Sequence, residues 1–164
     1  MAIIDLPIAD QRAAVVAEAL SWQGTRYMHR GMCKVVRNAA DTIVDPGGVD
    51  CATLLIAIFQ AVGLVAPMLV PEYPPDWHMH RSAERYIGSL LGYAREITEA
   101  DVLPGDIVVF RYGRAFSHGA IVIDPGWPAI VHAFSASGFV HRDSGDGGEW
   151  GNRPRRFFSR WGGT

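Results

Sequence analysis

Residues 52–62, ATLLIAIFQAV, are apolar on nearly every face of the helix they would form, and such a helix is stable only where other elements cover it all round. Gly63 supplies a stop and Asp50 stands at the N-cap, so the segment is predicted as a buried central helix with Cys51 in its first turn. Upstream, Ala14, Val15, Ala17, Ala19 and Trp22 recur at helical spacing over 11–22, with Asp10 as cap and Gly24 as the end. Charges, Asn38, Pro46 and two glycines predict an irregular excursion over 32–48. Pro-rich VPEYPPDW, 70–77, predicts a loop leading into a second helix over 82–93. After Leu103-Pro104-Gly105 the pattern becomes DIVVFR, SHGAIVID, AIVHAF and GFVHRD, separated by the turn signals YGRAF, PGWP and SASG. These are three or four strands of an antiparallel meander. Helices first and strands afterwards predict an α+β fold over 1–164 as one domain, with the central helix packed on the sheet.

The totals remove several function classes. A formal charge of -2 and a pI near 6.3 lack the basic footprint of nucleic-acid binding. Two cysteines, Cys33 and Cys51, are too few for a disulfide scaffold and leave room for a reactive thiol. The start MAIIDLPIAD carries Asp5 and Asp10 and no basic lead, so it does not read as a secretory signal. No segment reaches membrane-spanning length. The expectation is a soluble chain made in the cytoplasm.

Two features carry chemistry. A cysteine in the first turn of a helix meets unpaired N–H groups and the positive end of the dipole, which predicts a lowered thiol pKa and a nucleophilic thiolate. The plain alternative is a small buried hydrophobe. Centring the hairpin of the second and third strands on Gly126 sets His118 opposite Phe134 and Ala120 opposite His132. The two imidazoles are then diagonal neighbours on one face, about 7 to 8 Å apart between backbones. One can bond the other's ring nitrogen, as a base and its orienting partner require. The alternative is a pair of core histidines satisfied by backbone groups.

On these residues the sequence resembles the NlpC-type peptidoglycan endopeptidases, a papain-like family. Trp22-Gln23-Gly24-Thr25-Arg26-Tyr27, Gly48-Val49-Asp50-Cys51, Val102-Leu103-Pro104-Gly105-Asp106-Ile107, Ser117-His118-Gly119-Ala120-Ile121 and Val131-His132-Ala133 match its motifs in order, over about 11–142. The resemblance implies Cys51 as nucleophile, His118 as general base and His132 as the group that holds its ring. It implies that Tyr27 joins the Cys51 backbone N–H at the oxyanion, each such donor being worth about 2.7 to 4 kcal/mol. It implies peptidoglycan stem peptides as substrate, cut next to a D-γ-glutamyl diamino-acid linkage, without a cofactor.

The chain departs from the family in having Ala52-Thr53 where many relatives have Ser-Gly, and in the length of the 32–48 excursion. The 73–80 segment, YPPDWHMH, resembles the subgroup encoded among bacteriophage tail genes. That implies phage tail or baseplate partners and action in the periplasm or cell wall, with 32–48 and the C-terminal RPRRFFSRW as docking surfaces. His78 and His80 near Asp76 fall short of the ligands a zinc site needs, so no metal is expected. His29 and His141 read as surface residues and Cys33 as a bystander. Two other functions stay open: an amidase or acyltransferase of the same fold acting on another acyl substrate, and a structural tail protein.

Overall fold

A computed structural model describes residues 2–68, 70, 72–74 and 84–162. Helix α1, Ile8–Ser21, starts earlier than expected: Pro7 is its N-cap and Asp10 lies in its first turn, where a carboxylate suits the dipole. Helix α2, Cys51–Ala61, begins at the cysteine. Its end is a Schellman turn, in which Leu64 N–H donates to Phe59 O and Gly63 N–H to Gln60 O, with Gly63 at φ +75°. Helix α3, Glu84–Leu91, lies within the predicted 82–93. Residues 75–83, with Trp77, His78 and His80, lie outside the described residues.

The predicted irregular excursion contains four short strands: β1 (Met32–Cys33), β2 (Val36–Arg37), β3 (Ile43–Asp45) and β4 (Gly48–Val49). They pair antiparallel as β1 with β4 and β2 with β3. Beyond α3 come β5 (Arg95–Ile97), β6 (Ile107–Tyr112), β7 (Ala115–Val122), β8 (Ala129–Phe134), β9 (Phe139–Ser144) and β10 (Arg155–Ser159). They form one antiparallel sheet in the order β5-β10-β6-β7-β8-β9. The four predicted meander strands are present, and two more extend the sheet.

β10 corrects the reading of the C-terminal segment. RPRRFFSRW is not a free docking face, because β10 is an inner strand between β5 and β6, with Phe157 and Phe158 buried on opposite faces. Arg156 pairs with Glu96 of β5 at 2.6 Å and Arg155 with Glu99 at 3.4 Å. The Leu103–Asp106 turn is fastened to α1 by Arg12, which donates to Pro104 O (3.0 Å) and meets Asp106 Oδ1 at 2.9 Å.

The sheet has two unlike faces. Ile107, Val109, Ile121, Val131, Ala133 and Val140 join Leu54, Leu55, Ile58 and Phe59 of α2 in one core, in line with the predicted packing of the central helix. Burying each such side chain contributes about 1.5 to 3 kcal/mol. The alternate residues Val108, Phe110, Ala120, Val122, Ile130 and Phe157 gather around Trp150 on the other face.

Candidate active site

Cys51 is held by the cap of α2. Asp50 is buried, and its Oδ1 accepts from Ala52 N–H (3.0 Å), Thr53 N–H (2.9 Å) and Thr53 Oγ1 (3.0 Å). Asp50 N–H donates to Thr53 Oγ1 (3.0 Å), so the residue that departs from the family pattern closes a capping box. Asp50 Oδ2 accepts from Tyr73 OH (2.6 Å) and Arg30 N–H (2.8 Å), with His29 Nδ1 at 3.5 Å. None of the three was expected as a partner of Asp50. The same carboxylate thus ties three loop residues to the helix that begins at Cys51.

The thiol differs from its expectation. Cys51 is 8% exposed, and burial pushes its thiol above the ordinary value, with the Asp50 charge adding. The N–H groups of Gly119, Cys51 and Ala52 pull it back without offsetting burial. The resting sulfur is therefore an S–H, not the thiolate that the helix terminus alone predicts. Its hydrogen bond goes to Ser117 O at 3.5 Å. Cys33 is exposed, and both cysteines are free.

A close approach of β7 makes that contact. A Cβ at Gly119 would collide with the Tyr86 hydroxyl and press Leu55 Cδ1, so only glycine lets the strand lie against α2 here while Tyr86 donates to Cys51 O (3.3 Å). The register of β6 on β7 shifts between Phe110 and Arg111, leaving Ser117 as the extra residue of a bulge. His118 then points with Ala120 toward the Trp150 face, and its ring stacks on Trp150 at 4.3 Å between centroids and 12° between planes. The backbone on either side of His118 touches the sulfur. Among the described residues, however, no hydrogen bond joins its imidazole to the thiol, which donates to Ser117 instead.

The two expected histidines do meet. β7 pairs with β8 as Ile121↔Val131 and Val122↔Ile130, the predicted register, and His118 Nε2 lies 2.7 Å from His132 Nδ1. β9 adds an imidazole that the sequence reading left at the surface. His141 stands opposite His132, their Nε2 atoms 3.3 Å apart. Phe139 O, 3.2 Å from His141 Nδ1, can only accept, and Ser137 Oγ, 3.1 Å away, gives its own proton to Phe134 O (3.0 Å), so the chain is assigned with the His141 proton on Nδ1. His132 Nε2–H therefore donates to His141 Nε2, and His118 Nε2–H donates to His132 Nδ1. His118 Nδ1 is left with a free lone pair, the form a general base needs.

Burial, then the neighbouring His132, pushes the His118 pKa well below the usual imidazole value. His132 is pushed down to about 3 by burial and His141, against the opposing effect of Asp143. Both rings rest neutral. Tyr27 is fixed from two sides: its N–H donates to Gly138 O (2.7 Å), and it bridges Val49 in parallel. Burial raises the Tyr27 hydroxyl pKa, followed by the charges of Cys51, Asp50 and Tyr112. It remains an O–H donor within electrostatic reach of Cys51.

No sequence family and no curated protein sequence matches the chain. Solved structures do. An NlpC1 protein of Trichomonas vaginalis superposes with a TM-score of 0.60 at 16% identity, over 92% of this chain and 44% of that one. The peptidoglycan hydrolase RipB of Mycobacterium tuberculosis gives 0.59 at 18%, over 96% and 70%. The chain has the NlpC/P60 fold. An N-acetylmuramoyl-L-alanine amidase of Bacteroides uniformis shares it, with a TM-score of 0.54 at 11% identity, over 91% and 98%. The chain spans about half the length of the two Trichomonas proteins, 44% and 49%.

Proposed function

We propose that the chain is a cysteine peptidase that hydrolyses amide bonds of bacterial peptidoglycan stem peptides. The observation that carries this reading is the 2.7 Å bond between His118 and His132, made by the residue whose flanking backbone touches the Cys51 sulfur. A cysteine at a helix start, a neutral imidazole and a second imidazole fixing its tautomer make up the set that acyl transfer requires. Peptidoglycan as substrate rests on the sequence motifs and on relatives of this fold named as peptidoglycan hydrolases.

The first step needs the S–H to swing from Ser117 O to His118 Nδ1. The thiolate attacks the scissile carbonyl as His118 becomes imidazolium, and the Cys51 N–H with Tyr27 OH receives the oxyanion. His118 then hands its proton to the leaving amine. Water, deprotonated by the same nitrogen, releases the acyl group from sulfur and restores the thiol. The site of cleavage on this reading is the D-γ-glutamyl diamino-acid bond, and the carrier is a phage or phage-like tail that opens the wall locally during DNA entry. That carrier is supported by the 73–80 segment alone.

Mass spectrometry of defined muropeptides tests the reaction, and proteomics of purified particles tests the carrier. New fragments ending at the γ-glutamyl residue are expected. One observation favours a second reading, an acyl substrate of another kind. A cavity of about 490 Å³ lined by Leu55, Ile56, Tyr73, Tyr86, Leu90 and Tyr93 reaches Ala52, the nucleophile's neighbour, and is largely apolar. Intact muropeptides alongside turnover of apolar amides or lipid esters would select that alternative.

A further inference from the structure

Next to the imidazole chain lies a three-atom cluster that the reaction does not require as such. His132 Nε2 and His141 Nε2 are 3.3 Å apart, and Asp143 Oδ2 is 3.6 Å from the first and 3.9 Å from the second. A tetrahedral zinc ion with bonds of about 2.0 to 2.1 Å sets its ligand atoms about 3.3 to 3.4 Å apart. The triangle thus matches a zinc site within a few tenths of an ångström on two edges, and its 3.9 Å edge closes by about half an ångström. It is built on strands: β8 against β9 sets His132 opposite His141, and Asp143 lies two residues on from His141, on the same face.

Both imidazole ligands are also oriented from behind, as metal ligands are. His132 Nδ1 is bonded to His118, and His141 Nδ1 faces Phe139 O at 3.2 Å and Ser137 Oγ at 3.1 Å. Asp143 Oδ2 accepts from Trp150 Nε1 at 3.0 Å. Partial exposure of His141 and Asp143 leaves a route for the ion and a fourth position for water.

We propose that His132, His141 and Asp143 bind a divalent ion of the zinc type, and that the bound ion reverses the proton order of the imidazole chain. Two imidazole nitrogens and one carboxylate select zinc over magnesium or calcium, which take oxygen ligands. The ion takes the lone pair of His132 Nε2, so the proton there moves to Nδ1. His132 Nδ1–H then donates to His118 Nε2, which must give up its own proton to His118 Nδ1. No proton is gained or lost, yet His118 no longer offers a lone pair to the thiol. The ion is therefore an inhibitor that acts without touching Cys51. Inhibition rests on the catalytic reading above, whereas the site and the tautomer change do not.

The test uses the Cys51→Ala chain, in which an ion bound to the Cys51 thiol is ruled out. Zinc is titrated against a chromophoric chelator, and ¹⁵N spectra of the histidine rings are recorded with and without it. One equivalent should bind in wild type and in Cys51→Ala alike. Binding should weaken by about tenfold or more in His141→Ala and in Asp143→Ala. The His118 proton should move from Nε2 to Nδ1 on saturation. Undiminished binding in both ligand variants, or loss of binding on removing Cys51 alone, overturns the site. Binding with the His118 proton still on Nε2 overturns the switch.

Discussion

The two faces of the six-stranded sheet use the same alternation for opposite purposes. The face toward α2 is aliphatic, and its Ile107, Val109, Ile121 and Val131 are wholly buried. The other face buries His118 and His132 among Phe110, Phe134 and Trp150. Apolar groups gain from burial, while an imidazole is driven toward its neutral form by it. One face therefore stores stability, and the other keeps two imidazoles neutral. The cysteine belongs to the first face and the histidines to the second, and β7 is where they come together.

That division is broken most sharply by His118→Ala, which should lower kcat/KM by about 10² to 10⁴-fold and leave the α2 core folded. A loss below tenfold in steady-state assays would remove His118 from the role of base. Leu54→Ala, in the α2 core packed on the other face, should do the reverse. It should cost about 2 to 5 kcal/mol in denaturant titrations, while the folded fraction retains its activity. His132→Asn or Gln should retain more activity than His132→Ala, since only a group bonding His118 Nε2 is required. Equal losses in all three would argue against orientation.

Acid should act on the second face through its imidazoles. The folded pKa values of His118 and His132 lie below the unfolded imidazole value near 6.5. The stability they contribute is therefore present above pH 6.5 and is lost as pH falls from there toward about 3. Each such ring contributes a slope of about 1.4 kcal/mol per pH unit. The acid limb of kcat/KM should likewise fall below pH 6.5, because His118 keeps its lone pair in more acidic solution than a free imidazole does. A limb at or above 6.5 in the pH–rate profile would contradict a buried neutral base.

The aliphatic face was the more legible from sequence. A run between Asp50 and Gly63 that is apolar on nearly every face reads as a buried helix, and the cap and the Schellman turn follow from those two residues. The β7–β8 register was legible too, because the turn around Gly126 fixes the pairing. On the second face the histidine pair could be placed, but not what surrounds it. Trp150 sits in a glycine-rich turn sequence and His141 within the polar run HRD, so neither signals burial. β10 was hidden because RRFFS does not alternate, its arginines being held by Glu96 and Glu99 from elsewhere in the chain. The resting thiol escaped for a related reason. A helix start is local and visible, whereas the burial that outweighs it comes from β7, which lies far along the sequence.

The most direct test of the account is the release of soluble muropeptides from purified sacculi by wild-type protein and by Cys51→Ala at equal concentration. Wild type should release fragments with newly exposed amines, and Cys51→Ala, equally folded by circular dichroism, should release none above the rate without enzyme. Equal release by the two proteins would contradict Cys51 as the nucleophile.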